Sequence, residues 1–111
     1  MTDRIGEEGD HPSVLSRQER KMYEAEYKQA ADLFERSLKE YEKSDNKYQK
    51  AEFKKVMEES LQVLNDSARE LRRKDLLTQN SKIQEDYAMF KEDETKSSQL
   101  WTDLDKAKHS I

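Results

Sequence analysis

Glycine and proline are almost absent from this chain. Both glycines (Gly6 and Gly9) and the only proline (Pro12) lie at its start. Because these two residue types are the strongest local signals for turns and helix breaks, little in the rest of the chain interrupts a long helix. The abundance of Ala, Glu, Lys, Leu and Arg is also typical of long helices and coiled coils. The sequence therefore predicts an all-α protein.

Further absences exclude several kinds of chemistry. Without cysteine, the chain has no disulfide, no thiolate zinc site and no cysteine nucleophile. Its only histidines are His11 and His109, whereas zinc and iron sites need three or four converging ligands that usually include His or Cys. The absence of glycine after Gly9 excludes a glycine-rich phosphate loop. We therefore expect no metal, no cofactor, no small-molecule substrate and no enzymatic activity.

Paired carboxylates are the one remaining feature that resembles acid–base chemistry. Glu58–Glu59 and Asp103–Asp105 are examples. General acid–base catalysis needs carboxylates in a water-poor pocket that separates their pKa values, and nothing in the sequence indicates such a pocket. Since Asp and Glu are almost never fully buried unless paired, we interpret these residues as parts of solvated helix faces.

Charge and hydropathy narrow the possible partners. Charged residues make up 41% of the chain, but 21 basic residues nearly balance 25 acidic ones. Without a basic tail to neutralise phosphates, we expect no nucleic-acid partner. No apolar run approaches the ~18 residues of a membrane-spanning helix. Residues 1–12 also lack the apolar core of a signal peptide. This predicts a cytoplasmic location, although export without a cleaved signal would leave the same features.

The start of the chain predicts a disordered arm followed by one helical domain. Residues 1–14 combine all the glycine and proline with acidic side chains and little apolar content, so burial cannot offset the entropy of ordering them. Ser16 and Glu19 then form the S-x-x-E pattern of a capping box, which marks a helix start. We therefore expect a flexible N-terminal arm and a single helical domain over residues 15–111.

Apolar residues spaced three and four apart predict helices over about residues 16–43, 47–78 and 81–93, with a possible short helix over 98–109. Such spacing places side chains on one face of a helix. Short connections make neighbouring helices antiparallel, which predicts a helical hairpin or three-helix bundle with coiled-coil-like packing. The four apolar stripes are Tyr27, Ala31, Phe34, Leu38 and Tyr41; Met57, Leu61, Leu64, Ala68 and Leu71; Leu76, Asn80, Ile83, Tyr87 and Phe90; and Leu100, Leu104, Ala107 and Ile111.

The breaks between these helices are predicted from polar residues and from a change in the phase of the apolar stripes. Ser44, Asp45 and Asn46 prefer caps and turns, so we place a tight turn there. The alternative is one continuous helix, because aromatic residues recur every seven positions on both sides of this segment. The second and third stripes differ in phase, which indicates either one bent helix or a new start. Asn80 and Ser81 are suitable cap residues for such a start.

The aromatic series Tyr27, Phe34, Tyr41 and Tyr48, with one ring every seven residues, is the most distinctive local pattern. Large rings at this spacing usually form the core between helices. The same series on an exposed face would form a groove for a partner's helix. Both interpretations stay open at this point, and they are compatible if the partner is a second copy of the chain.

Two further groups are candidate contact residues for a protein partner. Arg69, Arg72 and Arg73 form the densest basic cluster, and arginine forks pair well with carboxylates or phosphates; alternatively, their stems flank the core and their heads reach water. Leu100 and Trp101 lie in the last stripe. A lone tryptophan there either closes the end of the bundle or serves as a binding hot spot.

Part of the first helix resembles a tetratricopeptide repeat. Tyr27, Ala30, Phe34 and Ser37 have the spacing of that repeat's second helix, and Tyr48 starts the pattern again. The second occurrence begins 21 residues after the first, whereas the family's period is ~34 residues. The resemblance therefore covers half a repeat and then ends. It supplies one alternative function, a peptide-binding module similar to a helical repeat.

The function predicted from the sequence is non-enzymatic protein–protein interaction. The chain would act as an adaptor, a regulator or a chaperone-like partner of another helical protein by burying an apolar stripe against it. The alternatives are a purely structural homo-oligomer and the peptide-binding module. Each requires a protein partner or self-association.

Overall fold

The computed structural model describes residues 15–111, which form four α-helices. Helix α1 spans Arg17–Lys43, α2 spans Lys47–Glu70, α3 spans Lys74–Glu92 and α4 spans Ser98–His109. The part of the chain described contains no strand. The all-α prediction is therefore confirmed. The predicted arm of residues 1–14 lies outside the described residues.

The predicted capping box begins α1. The Ser16 hydroxyl accepts a hydrogen bond from the Glu19 backbone N–H at 3.1 Å, and the Ser16 N–H donates to Glu19 Oε1 at 3.0 Å. These two bonds satisfy donors that would otherwise have no partner at the helix start. The sequence signal alone therefore located this end of the helix.

A tight turn separates α1 from α2, as predicted, and the continuous-helix alternative is wrong. The Asn46 side chain accepts hydrogen bonds from the N–H groups of Tyr48 and Gln49 at 2.9 and 3.0 Å. Asn46 is therefore the N-cap of α2. Its polar side chain serves the helix start instead of continuing the apolar stripe.

The second helix ends earlier than the sequence predicts. We expected it to reach residue 78, but α2 ends at Glu70. Arg72 adopts a left-handed conformation with φ of 55°. The Arg73 N–H donates to the Ala68 carbonyl and the Arg72 N–H to the Arg69 carbonyl, which is the bond pattern of a Schellman motif. Glycine usually occupies this left-handed position, so an arginine there left no signal.

Replacing Arg72 with glycine should stabilise the protein by about 0.5–1 kcal/mol. Glycine adopts the left-handed region without the steric cost that a Cβ incurs, and this gain exceeds its extra entropy in the unfolded chain. The measurement is urea unfolding of Arg72→Gly beside Arg72→Ala. The alanine variant keeps the Cβ and should match the wild type. A glycine variant less stable than the alanine variant would contradict this account.

The third helix begins before its predicted start. We expected Asn80 and Ser81 to open it, but α3 begins at Lys74 and Asn80 lies inside it, 1% exposed. The Asn80 side chain is bonded to other helices and not to its own backbone: it accepts from the Tyr27 hydroxyl at 2.8 Å and donates to the Leu64 carbonyl at 3.0 Å. Tertiary hydrogen bonds therefore replaced the capping role that the residue type favours.

The four helices form an antiparallel bundle in which α1 packs on α2, α2 on α3, α3 on α4 and α4 on α1. The rings of Phe34 and Tyr87 meet edge to face across the interior, with centroids 5.7 Å apart. The predicted stripes supply nearly the whole core. The buried apolar residues are Tyr27, Ala30, Ala31, Phe34, Leu38, Tyr41, Met57, Leu61, Leu64, Ala68, Leu71, Leu76, Ile83, Tyr87, Phe90, Leu100, Leu104 and Ala107.

Small residues let α1 and α2 pack closely. Ala30 and Ser37 on α1, and Ser60 and Ser67 on α2, are all buried. The serine hydroxyls of α2 are satisfied within their own helix, for example Ser60 Oγ donating to the Val56 carbonyl at 2.9 Å. Because these side chains are short, the larger side chains on either side project further from the helices. A groove therefore runs along the outer side of the α1–α2 hairpin.

Candidate protein-binding groove

The α1–α2 groove is a concave surface with an apolar lining. Its first section has a volume of about 330 Å³ and is lined only by residues of α1 and α2. Ala30 and Ser60 form the floor, at 5% and 2% exposure, and Leu33 and Val63 form the walls, at 41% and 40% exposure. Two large aliphatic side chains are thus partly exposed to solvent, on either side of a floor of buried residues.

The groove continues towards the α1–α2 turn. Its second section is lined by Leu33, Ser37 and Phe53, together with charged residues of α1. The Phe53 ring is partly buried and also borders a third depression beside the turn. Shared lining residues join the three sections into one continuous groove along the hairpin.

Charge is distributed unevenly along this groove. Glu26 on α1 and Glu59 on α2 are the only charged residues lining the first section, and neither forms an ion pair with another described residue. The second section is lined by Arg36, Lys39 and Glu40, and Arg36 is already paired with Asp32 at 3.3 Å. The first section is therefore acidic, whereas the second carries mixed charge.

The predicted aromatic series divides between core and surface. Tyr27, Phe34 and Tyr41 are 0%, 0% and 2% exposed. Burial, with the hydrogen bond that its hydroxyl donates to Glu94, raises the pKa of Tyr41 to about 12; burial also raises the pKa of Tyr27. Tyr48 lies in the first turn of α2 and is 82% exposed. The first three rings are thus core residues, and the series forms no exposed stripe.

The predicted arginine cluster is spread around the α2–α3 turn. Arg73 makes a two-point ion pair with Asp75, at 2.7 and 2.9 Å, and donates to the Ser110 carbonyl at 3.0 Å. This pairing lowers the pKa of Asp75. Arg69 lies 3.7 Å from Asp66 on its own helix, and Arg72 forms the left-handed turn. The structure does not bring the three guanidinium groups to one acceptor site.

The last two predicted contact residues hold α4 in place. Leu100 is fully buried in the core. Trp101 is partly buried against the core, and its Nε1–H donates to Glu42 of α1 at 3.3 Å. Trp101 therefore joins the start of α4 to the end of α1.

One interpretation of the carboxylates is wrong. Asp103 was expected on a solvated face, but it is 1% exposed between α3 and α4. Gln99 Nε2 donates to its Oδ1 at 3.1 Å, and Gln79 Nε2 donates to its backbone carbonyl at 3.0 Å. Asp86 of α3 lies within hydrogen-bonding reach of the same carboxylate. The sequence did contain a signal for this burial, because the spacing of Leu100, Leu104 and Ala107 places Asp103 beside the apolar face of α4.

Sequence reasoning missed the groove. Leu33 and Val63 lie outside the stripes, each beside a core residue (Phe34 and Leu64), and were not singled out. A second apolar spacing was present on α2, where Val56 and Val63 are seven residues apart, and it could have indicated a second face. The α1 residue that lies across the groove from Val63 could not be predicted, because it depends on how α1 and α2 pack together.

Residues 15–111 contain no group of three or more His, Asp or Glu side chains placed to hold a metal ion. None of the four helices has the length and apolar character needed to cross a bilayer. No protein-family model matches the chain, and no curated protein or solved structure matches it either.

Proposed function

We propose that this protein is a non-enzymatic interaction module that binds an amphipathic helix of a partner protein in the α1–α2 groove. The observation that carries the proposal is the pair of half-exposed aliphatic walls, Leu33 and Val63, above the closed floor of Ala30 and Ser60. Burying these walls removes apolar surface from water, which is the main favourable term in association.

A helix fits this groove better than other shapes. Two antiparallel helices offer parallel ridges, and a third helix packs its own ridge into the space between them. Recognition by a helix in a groove uses apolar anchors at positions i, i+3 or i+4, and i+7. Leu33, Val63 and Phe53 would contact such a row of anchors along the hairpin.

Charge complementarity specifies the partner further. Glu26 and Glu59 stand on opposite sides of the first section, on α1 and α2. A helix lying between them would place flanking Lys or Arg side chains beside both carboxylates. The partner segment that we propose is therefore a basic amphipathic helix, and the module acts as an adaptor or regulator of the protein that carries it. Its place of action remains the cytoplasm that the sequence predicts.

Two synthetic peptides with the same apolar residues test the charge argument. One has lysine flanks and the other glutamate flanks. We expect the lysine peptide to bind about tenfold more tightly, because each exposed ion pair contributes roughly 0.2–1 kcal/mol and like charges repel by similar amounts. Added salt should reduce the difference. Isothermal titration calorimetry measures both affinities; equal affinities, or preference for the glutamate peptide, would contradict the proposal.

Charged substitutions in the groove should weaken binding without unfolding the protein. We expect the double variant Leu33→Lys/Val63→Lys to bind the lysine peptide at least tenfold more weakly, while its stability changes by about 1 kcal/mol or less, since both side chains are half exposed. Met89→Lys is the matched control, because Met89 is 48% exposed on α3, away from the groove. Peptide binding that survives the double variant would exclude this groove.

A second copy of the chain is the competing occupant. Sedimentation equilibrium of the protein alone distinguishes the two, because self-association makes the mass depend on concentration. We expect a monomer at micromolar concentration. A dimer that Leu33→Lys/Val63→Lys dissociates would assign the groove to self-association and overturn the partner-helix proposal.

A further inference from the structure

Two carboxyl groups meet where α3 packs on α4, one of them buried and the other beside a surface depression. Asp103 of α4 is 1% exposed, and the Asp86 carboxyl reaches it from α3. Two ionised carboxylates at hydrogen-bonding distance repel each other, and the repulsion is stronger where burial reduces screening by water, as it does for Asp103. Such a pair is stable only if it holds a proton, as two carboxylates that share a site generally do.

The hydrogen bonding around the pair has a gap that a proton fills. Asp103 Oδ1 accepts from Gln99. Asp86 Oδ2 is buried and has no hydrogen-bond partner in the part of the chain described. A buried oxygen without a partner is costly when the group is ionised. A proton between the two carboxyl groups gives that oxygen a partner and removes the repulsion.

The cation that acts on Asp86 has too small an influence to offset its burial and the contact with Asp103. The charged groups acting on Asp86 are Asp103 across the interface and Glu85 and Lys82 on α3 itself; of these, Lys82 alone opposes the effect of burial, and it has the smallest influence. Lys96, in the α3–α4 connection, borders the same surface depression as Asp86. Burial, followed by the contact with Asp103, raises the pKa of Asp86 to about 6.

The other contacts of α4 do not involve this pair. On the side facing α1, Lys108 pairs with Glu35 at 2.8 Å and with Asp32 at 3.5 Å. His109, the histidine of α4, lies 3.6 Å from Asp105 of the same helix. The α3–α4 interface therefore holds a titratable pair of its own, separate from the ion pairs that join α4 to α1.

We propose that Asp86 and Asp103 form a proton-dependent latch: α4 is held on α3 while the pair shares one proton, and is loosened when both carboxylates are ionised. This device goes beyond the proposed binding of a helix, because it acts on the side of the bundle away from the α1–α2 groove. It makes the docking of α4 sensitive to pH in the slightly acidic range.

The direction of the effect follows from proton linkage. The pKa of Asp86 is raised in the folded protein above the ~3.9 of an unfolded aspartate, so the folded state binds the proton more tightly. The stabilisation is complete below about pH 4, decreases between about pH 4 and 6, and is lost above that range. A difference of about two pKa units corresponds to at most roughly a 100-fold change in the equilibrium for releasing α4.

Hydrogen exchange by helix tests the latch. After correction for intrinsic exchange rates, we expect the protection of α4 amides to fall by roughly tenfold between about pH 5 and about pH 7.5. The protection of α1 and α2 amides should fall much less. The fluorescence of Trp101, the only tryptophan, offers a second readout, because its ring rests against α1 and should shift to the red as α4 loosens.

Asp86→Asn is the decisive variant. The amide donates to Asp103 at every pH, so we expect high α4 protection with no pH dependence. Asp103→Asn places the amide on the other side of the interface and should behave likewise. His109→Gln is the control, since histidine ordinarily titrates in this range, and it should keep the wild-type pH dependence. An unchanged pH dependence in both asparagine variants, or an equal fall in protection in all helices of the wild type, would overturn the latch.

Discussion

Replacing Phe34 with alanine should lower the free energy of unfolding by about 3–5 kcal/mol. The ring is 0% exposed and meets Tyr87 edge to face at 5.7 Å. The substitution removes the transfer energy of the ring and leaves a cavity, and the lost aromatic contact adds to both. A loss of this size is a large share of the stability of a small domain. Urea unfolding followed by circular dichroism measures it.

Leu33, the residue immediately before Phe34, supplies the matched control. It is 41% exposed on the wall of the α1–α2 groove, so Leu33→Ala should cost less than about 1 kcal/mol. Comparing Phe34→Ala with Leu33→Ala tests whether the α1 aromatic face is core or an exposed binding surface, because the structure places Phe34 in the core and Leu33 at the surface. A loss below about 1 kcal/mol for Phe34→Ala would mean that the ring is not in the core.

Replacing Asn80 with alanine should cost about 2–4 kcal/mol, the second-largest effect that we expect. Asn80 connects three helices: its Oδ1 accepts from the Tyr27 hydroxyl of α1 at 2.8 Å, and its Nδ2 donates to the Leu64 carbonyl of α2 at 3.0 Å. Alanine leaves the buried Tyr27 hydroxyl without an acceptor. An unsatisfied buried donor costs more than the hydrogen bond contributed.

A double-mutant cycle isolates the Tyr27–Asn80 bond. Tyr27→Phe alone should cost about 1–3 kcal/mol, because it leaves the Asn80 oxygen unpaired. The double variant should cost clearly less than the sum of the two single variants, since neither partner is then left behind. Gln84→Ala, one turn further along α3 and exposed, should change stability by no more than about 0.5 kcal/mol. Strict additivity of Tyr27→Phe and Asn80→Ala would show that the two groups do not interact.

The apolar spacing alone was enough to identify the core. Phe34, Leu64, Ile83 and Leu104 each lie in a predicted stripe, and each is 0% exposed. This worked because the face of a helix is a local property, set by 3.6 residues per turn. The same holds for the capping box at Ser16 and the cap at Asn46, whose partners lie within three residues along the chain.

The candidate site was much less accessible to sequence reasoning. The aromatic residues proposed as contacts, Tyr27, Phe34 and Tyr41, are in the core, whereas the exposed walls of the groove are Leu33 and Val63. The local spacing places Phe34 in the apolar stripe and Leu33 outside it, but it does not show that Leu33 forms the wall of a groove. The groove exists because α3 packs on the side of the hairpin that carries Phe34, where Tyr87 meets its ring, whereas Leu33 lies on the outer side between α1 and α2.

The sequence by itself determined that the chain is helical, where α1 begins, where the first turn falls and which face of each helix is apolar. These depend on residues within one or two turns of each other. The tertiary structure decided that α2 ends at Glu70 with Arg72 in place of a glycine in the left-handed turn, that Asn80 connects three helices and that Asp103 is buried against Asp86. Each of those outcomes depends on a backbone conformation or on a partner elsewhere in the fold. Neither is encoded in the local spacing of residue types.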